Sequence, residues 1–355
     1  YFQSLEREFS MNKKLLTIAV AAAMVVPMAA SAETTLYGRI NNSVVYTDYD
    51  DPAPESNAEA WDEEWDVKDN ASRIGVKGSE DLGNGLKAIF QWEGQIETAD
   101  GGSTYSGMNQ RLGYVGLSGG WGTFAIGRQW TPYYGSVDKG DVFNLPSMDD
   151  YYLGLYRSGN ALAYISPDWN GLTAKLALIV DEEQSDNVGN GESTVDIANL
   201  SIDYNNGPLS LGASVAQFYG DDDPRDFYQA GLAGKYVFND MFAIIGQFEY
   251  VDDDLETADG LSLELTSFAV TGEYYFGNNT IRAQYAQVND DGDIDKNWNV
   301  WAVGFQHNFS KRTRVFVEYQ DTEISQTSSE SYSLANLDSI EGEANKFGVG
   351  IRHDF

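Results

Sequence analysis

The chain has 355 residues, no cysteine, and 55 acidic against 22 basic residues, which gives a formal net charge of −33. This excess of acid argues against a nucleic acid as partner, because phosphate binding needs clustered Lys and Arg, and against docking on anionic lipid surfaces. The 13% aromatic content and the 36 glycines argue against a disordered polyanion.

The first 32 residues are expected to be absent from the exported protein. Residues 1–10 look like a tag and cloning remnant, and residues 11–32 have a basic start followed by a short apolar stretch. Ala30-Ser31-Ala32 supplies the small residues of a signal-peptidase site. The alternative, a membrane-anchoring helix, needs about 20 apolar residues, more than this stretch offers. We therefore expect cleavage before Glu33 and one domain over residues 33–355.

The rest of the chain alternates apolar and polar residues with the two-residue period of β-strands. Short turns rich in Gly, Asn and Ser alternate with long acidic connections, as in outer-membrane barrels with periplasmic turns and extracellular loops. The predicted fold is an all-β, transmembrane antiparallel barrel of sixteen strands, closed because lipid offers no hydrogen-bond partner. A soluble β-sandwich, the alternative, lacks this rhythm of turns. The sixteen strands begin near Thr35, Ser72, Leu86, Gln110, Thr123, Ala161, Leu172, Asp196, Leu209, Asp226, Met241, Leu263, Asn279, Asn297, Thr313 and Asn345.

Several strand sequences are distinctive enough to suggest a family. They are Leu36-Tyr37-Gly38-Arg39, Ala71 to Gly78, Gln91-Trp92-Glu93, Gln110 to Leu117, Gly127-Arg128, and the last strand, Lys346 to Phe355. These stretches resemble the general-diffusion porins of Gram-negative bacteria. The resemblance implies a homotrimer in the outer membrane, in contact with its lipid and lipopolysaccharide, with the third loop folded into each barrel. It also implies that the barrel-assembly machinery recognises the final aromatic residue, Phe355.

Strand alternation directs several basic side chains into the lumen. Each of these basic residues alternates with apolar residues of its strand, which are expected to face lipid. Arg111, on the fourth strand, is placed inward in this way because Leu112 and Tyr114 are expected to face outward. The resemblance implies that such residues form a basic ladder across the constriction of the pore, in the way that charged rings set selectivity. The alternative is that they are ordinary solvated lumen residues. The predicted ladder consists of Arg39, Arg73, Lys77, Arg111 and Arg157.

An acidic wall opposite the ladder is expected from the third loop, residues 131–160. Enterobacterial members of the family carry an acid directly after the Leu-Pro of this loop, whereas here Ser147 follows Leu145-Pro146. The choice of aspartates therefore stays open, and each is alternatively a solvated loop carboxylate. The candidates are Asp138, Asp141, Asp149 and Asp150.

Arg128 does not fit the alternation, because it shares a face with Phe124 and Ile126. An arginine facing lipid at the membrane midplane costs about 2–4 kcal/mol. The resemblance implies that an acid on the second loop latches a neighbouring subunit, so Glu97 or Asp100 is a candidate partner for Arg128. The alternative is that Arg128 extends its charged end to the membrane interface.

Enzyme chemistry and bound cofactors are not expected. The two histidines, His307 and His353, are at strand ends without a Ser or acid in a known motif, and the chain has no cysteine for zinc or thiol chemistry. Asn289 to Asp295 faintly resembles a calcium loop but lacks the closing Glu, so a solvated loop is the alternative. No metal is therefore assigned.

The predicted function is a water-filled channel for passive diffusion of ions and small hydrophilic solutes. The alternatives are a selective channel for a sugar or oligosaccharide, although the inward strand positions hold few aromatics, and a surface adhesin or receptor that uses the acidic loops. The ladder favours anions, whereas the acidic loops concentrate cations before the constriction. We expect a modest cation preference that weakens as salt rises and screening shortens.

Overall fold

The computed structural model describes residues 33–49, 64–99, 108–145, 148, 151–180, 195–219, 227–253, 263–292, 296–326 and 344–355. Within these residues the chain forms sixteen antiparallel strands, two of them interrupted, and one short helix, α1 (Pro132–Val137). The strands are β1 (Glu33–Tyr49), β2 (Glu64–Asp69 and Arg73–Gly83), β3 (Leu86–Gln95), β4 (Gln110–Gly119), β5 (Gly122–Trp130), β6 (Arg157–Ser158 and Ala161–Ile165), β7 (Leu172–Ile179), β8 (Ile197–Asn206), β9 (Leu209–Phe218), β10 (Phe227–Phe238), β11 (Phe242–Asp253), β12 (Leu263–Phe276), β13 (Asn279–Asp290), β14 (Lys296–Asn308), β15 (Thr313–Gln326) and β16 (Ala344–Asp354).

Each strand pairs with its neighbours in the chain, and the last strand pairs with the first. The β1–β16 register runs from Arg39 opposite Asp354 to Tyr49 opposite Ala344, while the other edge of β1 pairs with both parts of β2. The sheet therefore closes on itself, which confirms the predicted sixteen-stranded barrel.

The predicted strand starts agree with the main segments to within two residues, but the first parts of β2 and β6 were not predicted. Each interruption contains a residue in the left-handed backbone region, Ala71 with φ 57° and Asn160 with φ 43°. A single left-handed residue breaks the regular ladder without ending the strand's path along its neighbour.

The side chains of the barrel are arranged with polar groups inside and apolar groups outside. On β8, Leu200 and Ile202 are 47% and 49% exposed, whereas the alternating Asn199 and Ser201 are 2% and 1% exposed. A soluble sandwich would bury the apolar set, so the sandwich alternative is wrong. The exposed apolar band is the surface that faces lipid.

Exposed aromatic side chains gather where the strands meet the short turns. Phe238, Phe242 and Phe276 lie beside such turns, and the Phe242 ring stacks on Tyr274 with centroids 4.6 Å apart. Aromatic girdles of this kind mark the membrane interface of outer-membrane barrels. The turn side of the barrel is therefore one edge of the lipid-facing band.

The long connection between β5 and β6 lies against the inner face of the barrel. It contains α1, whose N-cap Thr131 accepts a hydrogen bond from the Tyr134 amide at 3.0 Å and whose first turn carries Pro132. The Tyr133 amide donates to Oδ1 of Asn199 at 2.8 Å, an inward residue of β8. No helix within the described residues is long and apolar enough to cross a membrane.

Candidate pore constriction

Two arginines from neighbouring strands share one carboxylate on the inner wall. Nε of Arg111, on β4, lies 2.7 Å from Oε1 of Glu93, on β3, and Nη1 of Arg73, on β2, lies 3.7 Å from the same oxygen. The Tyr37 hydroxyl donates to the other oxygen of Glu93 at 2.9 Å. Glu93 is therefore held on three sides and is only 4% exposed.

A third arginine reaches this group through an aromatic ring rather than a carboxylate. The guanidinium of Arg157, on β6, lies 4.8 Å from the ring centroid of Trp130, and that of Arg111 lies 5.5 Å from it. The Tyr134 ring stacks on Trp130 at 4.5 Å and 18°. Trp130 thus lies between Arg111 and Arg157 on three adjacent strands.

Arg111 reaches the inner wall for a reason other than the predicted one. Alternation placed Leu112 and Tyr114 toward lipid, and this is wrong: Tyr114 donates to Gln91 at 2.8 Å inside the barrel, while Val115 is 60% exposed outside. The β3–β4 register shifts beside Glu93, which brings Arg111 inward together with Leu112.

Arg39 belongs to a second group, at the seam between β1 and β16. Asp354 accepts from Arg39 at 3.0 Å, from Arg314 at 3.2 Å and from Arg352 at 3.1 Å. The backbone register pairs Arg39 with Arg73, so the two groups are adjacent. Lys77, the remaining predicted ladder residue, has its ammonium 5.2 Å from the ring centroid of Tyr37.

Buried carboxylates on other parts of the inner face bind the third loop. Both oxygens of Glu318, on β15, accept from the loop, and the Leu145 amide is 2.8 Å from one of them. Asp203, on β8, accepts from Lys175 at 2.7 Å and from the Ser136 hydroxyl at 2.8 Å. Glu318 and Asp203 are 1% and 4% exposed, so the loop covers them.

Burial changes the titration of two side chains of the third loop. It raises the pKa of the Tyr133 hydroxyl well above its usual range, and the neighbouring Glu249 carboxylate adds to the rise. Tyr133 therefore remains a neutral donor to Glu249, at 3.1 Å. Burial lowers the pKa of Lys139, while Asp203, 3.7 Å away, acts in the opposite direction.

The predicted acidic wall is only partly within the described residues. Asp138 ends α1, with its amide donating to the Tyr134 carbonyl at 3.1 Å, and its carboxylate oxygens are buried. Asp141 is exposed, and Asp149 and Asp150 lie outside the described residues. Membership of these aspartates in a constriction stays a prediction.

The third loop also brings aromatic side chains to the inner face, which the strand pattern did not indicate. Tyr152 lies 4.8 Å from Tyr156 and 6.0 Å from Tyr134, centroid to centroid. The rings contact one another at the two ends of the loop, where Thr131 also donates to the Tyr156 carbonyl. They therefore tie the loop ends together.

The outward direction predicted for Arg128 rests on strand parity, and Gly127, with φ 122°, interrupts that parity just before it. Ile126, on the same strand, is 49% exposed, and Nε of Arg128 donates to the Gln110 carbonyl at 3.0 Å. Glu97 is exposed and accepts from the Ala99 amide at 2.9 Å, and Asp100 lies outside the described residues. The latch between subunits stays a prediction.

The histidines contact neutral polar groups. Nδ1 of His307 is 2.7 Å from Oδ1 of Asn279, and Nδ1 of His353 is 2.9 Å from the Thr313 hydroxyl oxygen. In the part of the chain that the structure describes, no group of three or more His, Asp or Glu residues is placed to hold a metal ion. Residues 293–295 of the calcium-like loop lie outside that part.

Glu93, Asp354 and Trp130 are central to these groups and were not predicted as site residues. The alternation along its strand had placed Glu93 on the inward face, so the sequence could have identified Glu93 as a lumen residue. No such signal existed for Trp130, because Gly127, with φ 122°, changes the direction of the strand just before it.

A closed sixteen-stranded barrel with an apolar exterior and arginines on its inner wall is an outer-membrane channel. The model of the Gram-negative porin family matches residues 19–327. The chain is 31% identical over 371 residues to the major outer membrane protein P.IB of Neisseria meningitidis, with 97% of this chain and 100% of the relative covered.

Solved structures agree. An anion-selective porin from Comamonas acidovorans has a TM-score of 0.74 at 25% identity, with 92% of this chain and 100% of that chain covered. A trimer form of OmpT from Vibrio cholerae has a TM-score of 0.66 at 17% identity, over 91% and 99% of the two chains. The chain belongs to the Gram-negative porin family and forms an outer-membrane channel for passive diffusion.

Proposed function

We propose that Arg73, Arg111 and Arg157 line the constriction of this porin, and that the constriction prefers anions. The observation that supports this is the balance of charge in the two arginine groups of the inner face. Elsewhere on the inner face, Asp203 is paired with Lys175 and Lys139, and Glu318 is bound by the amides of Asn144 and Leu145 under the third loop.

The charges in the two arginine groups do not balance. Five arginines pair with two carboxylates, Glu93 and Asp354, and a sixth arginine, Arg157, contacts the Trp130 ring. Every permeating ion passes these groups, whereas the acidic loops act only within about a Debye length. Anion preference at the constriction is therefore combined with cation accumulation at the loops. The sequence alone led us to expect a modest cation preference, whereas this proposal expects a preference for anions at high salt. The solved porin from Comamonas acidovorans, which is described as anion-selective, supports it.

Zero-current potentials across a KCl gradient test the proposal. The loop charges are screened within about 3 Å at 1 M salt and about 10 Å at 0.1 M. We expect the chloride-to-potassium permeability ratio to rise with salt and to exceed one at 1 M. Arg157→Ser should lower the ratio. A potassium preference at 1 M KCl would refute anion selectivity, and an unchanged ratio in Arg157→Ser would remove that residue from the constriction.

We also propose that the protein is a homotrimer, with Arg128 of one subunit near Glu97 or Asp100 of the next. An outward arginine beside exposed apolar residues needs a polar partner in the membrane, and the OmpT neighbour is described as a trimer. Channels should insert into a planar bilayer as three equal conductance steps. Arg128→Ser should lower the temperature at which trimers dissociate on a semi-native gel, while single steps of wild-type protein would contradict the trimer.

A further inference from the structure

We propose that Trp130 is a positioning residue that holds Arg111 and Arg157 side by side without neutralising either charge. The inference rests on the proposed function, because it assumes that these arginines line the constriction. It assigns to an uncharged residue at the start of the third loop a role in ion selectivity.

The arginines alternate with two different spacers across five strands. Glu93 lies between the first two arginines, with contacts of 3.7 Å and 2.7 Å, and Trp130 lies between the second and third, at 5.5 Å and 4.8 Å from ring centroid to guanidinium carbon. Each of the strands β2 to β6 supplies one member. In order, they are Arg73, Glu93, Arg111, Trp130 and Arg157.

The two spacers have different electrostatic consequences. A carboxylate cancels one of the charges that it separates, whereas an aromatic face attracts guanidinium groups through its quadrupole and keeps their charge. Positive charge is therefore concentrated at the Trp130 end of the row. Without the ring, Arg111 and Arg157 would repel each other and would take up other rotamers.

The Trp130 ring is itself fixed by the third loop. Tyr134 stacks on it at 4.5 Å, Trp130 pairs with Arg157 in the β5–β6 register, and the next amide, that of Thr131, donates to the Tyr156 carbonyl at 3.0 Å. Because the Trp130 ring is already fixed, only the arginine side chain loses rotamer freedom when its guanidinium packs on the ring. Glu93 already holds Arg111 on one side, so the anchored ends of the loop matter most for the placement of Arg157 beside it.

The competing interpretation is that Trp130 only packs the loop. To separate the two, the permeability ratio is measured at 1 M KCl for Trp130→Leu, for Trp130→Phe, and for Trp130→Leu combined with Arg111→Ser and Arg157→Ser. We expect Trp130→Leu to lower the chloride-to-potassium ratio about two- to fivefold, the factor that a single exposed cation–π contact supports. Trp130→Phe should retain most of the ratio. In the background without the two arginines, Trp130→Leu should have no further effect, because a positioning residue acts only through its partners.

The matched control is Trp121→Leu, at the β4–β5 turn, where the ring is 46% exposed and 6.3 Å from Tyr164. It should leave the ratio unchanged. The inference fails if Arg157→Ser shifts the ratio but Trp130→Leu does not, or if Trp130→Leu shifts it equally without the arginines. A wild-type ratio that is insensitive to Arg157→Ser would instead refute the proposed constriction. If the leucine variant yields no folded trimer, a large loss of the ratio in Trp130→Phe, which keeps an aromatic face, would overturn the inference.

Discussion

Arg39 and Asp354 face each other across the seam of the barrel, and their side chains form an ion pair with an Nε–Oδ1 distance of 3.0 Å. The two residues are 315 positions apart in the chain. Asp354 also binds Arg314 and Arg352, so one carboxylate connects β1, β15 and β16. The seam is therefore fixed by side chains as well as by backbone hydrogen bonds.

Asp354→Asn should destabilise this seam. The variant leaves three arginines with a neutral acceptor, and we expect the free energy of unfolding to fall by about 1 kcal/mol, less than is typical of bonds to charged groups because the side chains are partly exposed. The measurement is the temperature at which folded protein unfolds on a heat-modifiability gel. Asp240→Asn, at an exposed turn, is the control and should not move that temperature. Equal unfolding temperatures for Asp354→Asn and wild type would mean that the ion pairs contribute nothing to closure.

Glu93→Gln should increase the anion preference. The substitution removes the carboxylate that Arg73 and Arg111 share and leaves a polar side chain of similar size. One unit charge at about 4 Å is worth about 1 kcal/mol in water, so the permeability ratio should rise by about fivefold at most. Glu80→Gln, an exposed site on β2, should leave the zero-current potential unchanged. A shift toward potassium would contradict the assigned charge balance.

Glu318→Ala should release part of the third loop from the wall. Its carboxylate accepts from the Asn144 and Leu145 amides, and each bond to a charged acceptor is worth about 1.5–3 kcal/mol. We expect larger open-channel current noise and an altered single-channel conductance. Glu323→Ala, an exposed position on the same strand, should behave like wild type. Wild-type noise and conductance in Glu318→Ala would show that other contacts suffice to hold the loop.

Deletion of Phe355 should lower the yield of folded trimer in the membrane. The Phe355 amide donates to the Gly38 carbonyl at 3.0 Å, and a Cβ on Gly38 would lie 2.3 Å from the Phe355 ring, so this pair extends the seam at close contact. Gly38→Val should therefore show the same defect. Trimer is measured on a semi-native gel of membrane extracts, with Phe355→Tyr as the conservative control. Normal trimer after the deletion would remove Phe355 from the assembly signal.

Protein made through the secretion pathway should begin at Glu33. The expectation depends on Ala30-Ser31-Ala32, which precedes the first residue of β1. Intact-mass measurement of membrane-extracted protein gives the answer. A mass that begins at Met11 or Tyr1 would contradict it, whereas Ala32→Leu should block the cleavage and serves as the control.

The strands were predictable because the barrel enforces a strict alternation. Successive residues of a strand face lipid and the polar interior in turn, so they must be apolar and polar in turn. A sequence such as that of β8 therefore indicates both that the segment is a strand and which of its residues face lipid. The same alternation placed Arg73 inward, where its guanidinium lies beside Glu93. Here local sequence and global environment agree.

The site was less predictable where the backbone departs from regular pleating. The register shift at Glu93 turns Arg111 inward, and the alternation of residues along the strand does not predict such a shift. The path after Gly127 placed Trp130 between two arginines. Pairings of distant segments, such as Asp354 with Arg314 or Glu318 with Asn144, depend on closure of the barrel, and no local pattern encodes them.

The alternation along β8 also has a consequence for the export of the chain to the outer membrane. Retention in a bilayer as a helix requires about 20 consecutive apolar residues, and a strand in which every second side chain is polar never offers such a run. The strands that the structure describes therefore offer the inner membrane no segment that it could retain as a helix during export. Its continuous apolar surface comes into existence only when neighbouring strands pair, so the affinity for lipid arises from folding and not from any single segment.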